Sequence, residues 1–522
     1  MKTKRKHSKV TFKPYQMDQL MLLPPSLDEL IPEDHPVRVV SAVVDRIDMK
    51  RLVKAYKGGG TSSYHPKMMI KVIVYAYSQG MFSCRQMEKA LEENIHFMWL
   101  SGGNRPDHRT INRFRSDKLK GLIKDVFTEI LILLAELGHV KLEGYFVDGT
   151  KIEANANRYT YVWRKNTERY KKALEEKIKE LFEEIDRINE AEDEAYGDCD
   201  LEETESSAPI DSKTLKARIE EIGNRLNKEP EKAQQLKKAS RVLEKEYLPR
   251  LERYEEQERK LAGRNSYSKT DPDATFMRMK EDYMGNGQLK PAYNVQIGTE
   301  NQFVVGFSIH QSPADTACLI PHLEHVKEQL GRYPADIIAD AGYGSEENYE
   351  YLEERGLGNY VKYNTFDQEQ KHQHPKRFVA ETWPHDADTD TFICPAGRRL
   401  TYRGTEDYRT QKGYLTERRV YESEDCSGCT LRSQCTRARG NRQIRISFRL
   451  RELKAKAKEN LCSEKGIRLR ARRMTEPESV FGRLKGNWGF RRFLLRGIEK
   501  VTVEWGLLCI AHNLTRLAAI TG

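Results

Sequence analysis

Apolar residues recur at three- and four-residue steps through the first quarter of the chain. Val37, Val40, Val44 and Ile47 predict a helix within 34–56. Met69, Val72, Ile73, Tyr75 and Ala76 predict a second, opened by His65, Pro66 and Lys67. Ser83 reads as the N-cap of a third, running through Glu92. After the turn Asn104–Asp107, Asp107 reads as the cap of a fourth, His108–Arg115. The strongly apolar stretch Leu119–Leu137 predicts a fifth, packing this unit against a strand that ends at Asp148.

The period then changes. Tyr145, Phe146 and Val147 form a short apolar run that ends on Asp148, so a strand is expected to stop at that aspartate. From Arg164 to Gly263 the rhythm is helical again. Leu174, Ile178, Leu181, Ile185 and Ile188 step by four and three, as do Leu215, Ile219, Ile222 and Leu226. Leu236, Leu243 and Leu251 extend a third segment. This is the seam of a coiled-coil-like helical hairpin, with a polar loop at Glu190–Pro209. Two strands are expected at 292–297 and 303–309, joined across Gly298–Gln302. Next come a helix at 314–330, a strand at 335–340, a helix capped by Ser345 and a strand at 358–362. The last element is an amphipathic helix at 499–519. Strand, hairpin, helix, strand, helix, strand is the element order of an RNase H-like fold, so the expected class is mixed α/β with two inserts.

Composition narrows the partners. The chain has 522 residues, with 89 Lys and Arg against 79 Asp and Glu, a net charge of +10. Residues 436–473 alone hold fourteen Lys or Arg against three Glu. Clustered arginine suits a polyanion. No run of about eighteen apolar residues exists, so no membrane span is expected. Met1–Lys9 is basic but lacks the apolar stretch of a secretory signal. Nine cysteines, an odd number, fit a reducing cytoplasm.

The chemistry rests on carboxylates. Asp148 and Asp340 end expected strands that would lie side by side. Pro477 starts a helix that holds Glu478 in its first turn and leaves Glu476 outside. Lys485, seven residues on, would share a face with Glu478 and could grip a phosphate. Hard divalent cations take carboxylate oxygens, and such cations can drive phosphodiester hydrolysis.

Four stretches carry a resemblance. They are Pro106–Arg115 (PDHRTINRFR), Val147–Ala156 (VDGTKIEANA), Ala339–Ser345 (ADAGYGS) and Glu478–Lys485 (ESVFGRLK). The chain resembles bacterial insertion-sequence transposases of the DDE type over nearly its whole length. That resemblance implies that Asp148, Asp340 and Glu478 bind Mg²⁺ or Mn²⁺. It also implies that the protein binds terminal inverted repeats and target DNA, cleaves double-stranded DNA and joins 3′ ends to the target. Synapsis of two ends implies a homodimer, and the location is cytoplasmic, at the nucleoid. Lys485 and Arg473 match basic positions near the family glutamate. Arg473 stands five residues before Glu478, and the tyrosine that many relatives carry nearby is absent. Arg109, Asn112, Arg113, Lys151 and Asn155 are expected DNA contacts. A transposase-derived DNA-binding protein and an RNase H-like nuclease without strand transfer are the alternatives.

The expected organisation is a helical DNA-binding domain at 1–137, with a helix-turn-helix-like part at 83–117. The catalytic domain comprises 138–163, 264–363 and 446–522. The helical insert is 164–263, and a cysteine-containing insert is 364–445. In the latter, Cys394, Cys426, Cys429 and Cys435 suit a structural Zn²⁺, with His372 or His374 able to replace one thiolate.

Overall fold

The structure, a computed structural model, describes residues 26–48, 50–54, 63–196, 210–228, 234–279, 288–371, 377–410 and 413–521. The basic start, residues 197–209 of the acidic loop, and His372 and His374 lie outside them.

The first helices form where the apolar steps place them. α1 (Pro36–Arg46) and α3 (Pro66–Ser78) each begin on a proline, whose fixed φ and missing N–H suit a first turn. The preceding histidines cap them: His35 Nδ1 accepts from Val37 N, and His65 Nδ1 from Lys67 N. The helix expected within 34–56 is broken after Arg46, and α2 (Lys50–Lys54) is separate. α4 (Cys84–Glu93) follows Ser83, whose hydroxyl makes no cap bond. The expected pair of adjacent short helices is interrupted by α5 (Ile95–Ser101). Asn94 starts that helix by accepting from His96 N, and left-handed Gly102 ends it. α6 (His108–Arg113) is capped by Asp107 as expected, with Thr110 N donating at 2.7 Å. α7 (Ile123–Glu136) completes the group.

The central sheet begins with β1 (Gly144–Glu153). The strand does not stop at Asp148 but runs five residues past it. Its antiparallel neighbour is the cause. β5 (Leu289–Glu300) pairs with β1 from Phe146 to Glu153 and holds the backbone extended. β6 (Phe303–His310) returns after a turn at Asn301 and Gln302, both at positive φ (53° and 63°), so the hairpin loop is only two residues. On the other side β1 pairs in parallel with β7 (Asp336–Ala339), and β7 with β8 (Gly358–Val361). β4 (Thr275–Arg278) also pairs with β5. The order β6-β5-β1-β7-β8 thus has antiparallel pairs on one side of β1 and parallel pairs on the other. Between β6 and β8 lie α12 (Leu319–Leu330) and α13 (Glu346–Glu354), the latter capped by Ser345.

The first insert is larger than a hairpin. β2 (Tyr161–Trp163) and β3 (Ser266–Ser268) pair at its base. Above them rise α8 (Arg164–Tyr196), α9 (Ser212–Lys228), α10 (Gln234–Val242) and α11 (Leu248–Leu261). Leu243, in a π-helical turn between α10 and α11, and Leu251 join Leu174, Ile178, Ile185, Leu215 and Ile222 in one core. The third segment therefore packs into the bundle.

The second insert is a sheet. After α14 (Phe366–Gln370) come β9 (His385–Asp386), β10 (Thr391–Ile393), β11 (Arg399–Arg409) and β12 (Leu415–Ser423). α15 (Arg432–Cys435) and β13 (Gln443–Ile446) come after them. The five strands are antiparallel in sequence order over Trp383, Phe392, Leu400, Tyr421, Ile444 and Ile446.

The chain then forms α16 (Phe448–Cys462), α17 (Glu464–Arg473), α18 (Pro477–Phe481) and α19 (Ile498–Thr521). α19 is not amphipathic. It is buried on nearly all sides from Val501 to Leu514, because α1, α3, α7 and β6 all pack around it. Glu504, wholly buried in α19, accepts from the backbone N–H groups of Leu494 and Leu495 and lies near the buried Arg115. Burial pushes its carboxyl up, while Arg115 and those two N–H groups hold it down. N-terminal helices, central sheet and α19 thus share one core. Among the described residues, no helix is long and apolar enough to cross a membrane.

Candidate active site

The parallel register aligns the two aspartates. Gly144 pairs with Asp336, Tyr145 with Ile337 and Phe146 with Ile338. Asp148 and Asp340 each lie two residues beyond that last pair. With a side-chain period of two, both belong to the face of Phe146 and Ile338. Asp340 leaves β7 and caps a short turn, its Oδ1 accepting from Gly342 N at 2.9 Å. A side chain at Gly342 would stand 2.9 Å from that oxygen, which explains the glycine.

α17 and α18 cover this same face. Leu469 packs near Gly144, and the Arg472 guanidinium lies over the Phe146 ring. Arg473, next in the chain, reaches both aspartates. Its Nη2 is 3.6 Å from Asp148 Oδ1 and 3.3 Å from Asp340 Oδ2. One cation therefore sits between two carboxylates. Its seat is imperfect, since Nε is buried and has no hydrogen-bond partner among the described residues.

Glu476 and Glu478 divide as the position of Pro477 suggests. Glu476 is buried; it accepts from Gln302 N at 2.6 Å and from Arg472 Nη2 at 2.8 Å, so it anchors the helix to the β5–β6 turn. Glu478 is exposed on α18, which packs on β1 and β5. The structure brings Asp148 and Asp340 together around one guanidinium and carries Glu478 on the exposed side of α18. Among the described residues, no three His, Cys, Asp or Glu form a ready metal group. Lys485 lies in a π-helical turn after α18, and its Nζ donates to Thr150 Oγ1 at 2.9 Å. Thr150 is two residues from Asp148 and on its face. Lys151, three residues away, is on the opposite face.

Sequence reasoning missed Asp315. Its Oδ1 accepts from Asn294 Nδ2 at 2.8 Å and Gln296 Nε2 at 3.1 Å. Gln296 Oε1 accepts in turn from the Tyr343 hydroxyl. Asn294, Gln296 and Tyr343 are all but wholly buried. Burial, then the charges of Asp315, Asp148 and Asp340, push the Tyr343 hydroxyl well above its ordinary value. The Gln296 amide also lies across Gly149, where a Cβ would stand 2.1 Å from Nε2, so the residue after Asp148 has no room for a side chain. The available signal was the pair Asn294 and Gln296, polar residues alternating within an apolar strand.

The basic segment is mostly engaged. Arg449 pairs with Glu350, Glu353 and Glu452, and Lys456 with Glu353 and Glu452. Lys458, Lys465 and Arg468 pair with Glu369, Asp336 and Glu464. A more open basic surface lies on the N-terminal unit. Arg109, Asn112 and Arg113 are exposed on α6 and line a concavity with Ser83, Arg85 and His108. Asn155, the other expected contact, donates from Nδ2 to Leu494 O.

The four cysteines of the second insert line one small cavity. Arg398 N donates to Cys394 Sγ at 3.4 Å and Arg442 N to Cys426 Sγ at 3.3 Å. Burial pushes the Cys435 thiol up; Arg442 opposes this, and the other three cysteines add to it.

Two known families match the chain. A transposase DDE domain matches residues 393–518, and a transposase domain matches residues 25–117. The class is a nucleic-acid-processing enzyme with DNA as its partner. More narrowly, the two matches bear out the resemblance to insertion-sequence transposases of the DDE type. The first takes in Glu478 and Lys485 but begins beyond Asp148 and Asp340. No curated protein and no solved structure matches the chain.

Proposed function

We propose that the chain binds the terminal inverted repeats of an insertion sequence, cleaves DNA at their ends and joins the 3′ ends to target DNA. In this reading Asp148, Asp340 and Glu478 hold Mg²⁺ or Mn²⁺. The observation that carries it is the shared cation: Asp148 on β1 and Asp340 just after β7 already compensate one positive charge from Arg473. A donor set of hard carboxylate oxygens fits such a metal. The strand order around β1 supports an RNase H-like core for residues 138–163, 264–363 and 446–522.

Bound there, a divalent cation supplies an activated water and charge compensation at the phosphate. The residues do the rest. Asp148 and Asp340 give up the Arg473 guanidinium, which becomes available to a DNA phosphate. Glu478 completes the donor set from α18. Lys485, anchored at Thr150, presents its ammonium to the backbone near the scissile bond. Arg109, Asn112 and Arg113 contact the repeat, and two copies hold two ends in a synaptic complex.

The cysteine cavity would hold a structural Zn²⁺ through Cys394, Cys426, Cys429 and Cys435. Backbone N–H groups directed at two of the sulfurs would help to orient those ligands.

The test is incubation of purified protein with duplexes carrying the flanking repeats, a target plasmid and Mg²⁺. Cleaved ends and joined products are expected. Nicks that never yield joined products would reduce the reading to a nuclease, and repeat binding without any cleavage would reduce it to a DNA-binding protein.

A further inference from the structure

The base of the helical insert carries a cleft that takes no part in the proposed cleavage chemistry. It is open, about 350 Å³, and lies where β2 meets the first two turns of α8 and residues Arg250 to Gln257 of α11. β1 alone carries the chain about 17 Å from Asp148 to Glu153, at roughly 3.3 Å per residue, and the cleft begins eight residues further on. Asp148, Asp340, Glu478 and Arg473 do not line it.

Its walls are aromatic and exposed. Tyr161 and Trp163 project from the same face of β2, and each contacts Phe276, with ring centroids 5.7 and 5.9 Å away. Tyr161 keeps 49% and Tyr170 48% of its surface exposed, and Tyr159, on the approach, keeps 70%. Large rings are normally buried for the area they remove from water. Here three are left out beside a packed aromatic floor.

Its rim is cationic. Arg250, Arg253 and Lys269 line the cleft, and Arg158 stacks on Tyr159 next to it. Among the described residues none of these four has an acidic partner. Elsewhere on the same bundle such pairs are made: Lys171 with Glu258, Lys216 with Glu252 and Arg218 with Asp186. α8 and α11 are rich in glutamate, yet among the described residues none of those carboxylates engages the cations of the rim.

Flat faces for stacking, ringed by unpaired cations, match nucleotides whose bases are not paired. A base offers a π-face to Tyr161, Trp163 or Tyr170, and its phosphate reaches Arg250, Arg253 or Lys269. In duplex DNA the base faces are hidden in the stack. We propose that this cleft binds unpaired nucleotides of a DNA strand, holding them away from the site of cleavage. The proposal builds on the reading that the chain acts on DNA, and it does not require that the chain cleave or join it.

The experiment uses full-length protein and two fluorescent probes: a poly-dT oligonucleotide and a random-sequence duplex. Tyr170→Ala and the double change Arg250→Glu with Arg253→Glu alter exposed side chains, and Trp163→Ala alters the floor. Weakening of poly-dT binding by about tenfold or more, with duplex binding kept within about twofold, is expected for Tyr170→Ala and the double variant. Unchanged poly-dT binding in both overturns the proposal. Equal loss on both probes also overturns it, because the surface would then be a duplex contact. Quenching of wild-type tryptophan fluorescence by poly-dT, abolished in a folded Trp163→Ala protein, is the matching signature. Selective single-strand loss in a chain that never cleaves repeat ends would leave the cleft standing and remove the proposed function. Cleavage and joining by a chain whose cleft variants bind poly-dT normally would do the reverse.

Discussion

Asp148 on β1 and Asp340 just past the end of β7 each lie two residues beyond the parallel pair Phe146–Ile338, and Arg473 stands between them. Two carboxylates on one face of a sheet repel unless a cation separates them. In this chain the cation is supplied by the chain itself, from the helix just before Glu478.

Removing that guanidinium should have two opposed effects. In Arg473→Ala without metal, the carboxylates lose the guanidinium between them, and the melting temperature should fall by several degrees. Addition of Mg²⁺ should restore more of the loss than it gives to wild type, and calorimetry should show tighter Mn²⁺ binding. A melting temperature that falls equally with and without metal would mean that Arg473 is only a packing residue.

Asp315 should position the site and not bind DNA. Asp315→Asn keeps the shape but weakens its bonds from Asn294 and Gln296, which brace Tyr343 and lie over Gly149. Cleavage of repeat DNA should slow by roughly tenfold to a hundredfold, the range for partners that orient metal-binding groups. Repeat affinity should stay at the wild-type value. A loss confined to affinity would contradict this role.

The cysteine cavity makes a separate prediction. Purified protein should contain one zinc per chain by elemental analysis, and Cys426→Ser with Cys429→Ser should lose it. A strong chelator should then lower the melting temperature of wild type and not of the variant. Protein purified without chelators that carries no zinc would rule the site out.

His512 should make stability sensitive to acid. Burial holds its imidazole down to about 3 from an ordinary 6.5, with Nε2 bonded to Gln302 O. The folded state therefore keeps the neutral ring. Its contribution is complete above pH 6.5 and is lost as pH falls from 6.5 towards 3, because the unfolded chain takes up the proton first. Melting temperature measured across that range should fall more steeply for wild type than for His512→Gln. Parallel curves would show that another group governs the acid limb.

Much of this arrangement was legible in the chain. Helix starts at Pro66, Asp107 and Ser345 were readable because each is decided by local groups. Pro477 likewise separated buried Glu476 from exposed Glu478. The features that were not legible depended on distant partners. β1 looked finished at Asp148 because β5, which extends it, lies about 140 residues later. α19 looked amphipathic because distant elements cover its polar positions: Glu504 lies near Arg115, while His512 and Asn513 bond to Gln302 and Val304 of the β5–β6 hairpin. The second insert hid a five-stranded sheet because β11 and β12 bury few residues and are charged elsewhere. The arginine-rich run overstated the free positive surface, since several acidic partners (Glu350, Glu353, Glu369 and Asp336) come from other elements.

The most direct test is the anomalous difference map of a crystal grown with Mn²⁺. A manganese peak is expected within about 2.2 Å of carboxylate oxygens from both Asp148 and Asp340, with Arg473 displaced and Glu478 drawn in. A map in which Arg473 still bridges the two aspartates while manganese binds elsewhere, or nowhere, would contradict a metal site built on this pair.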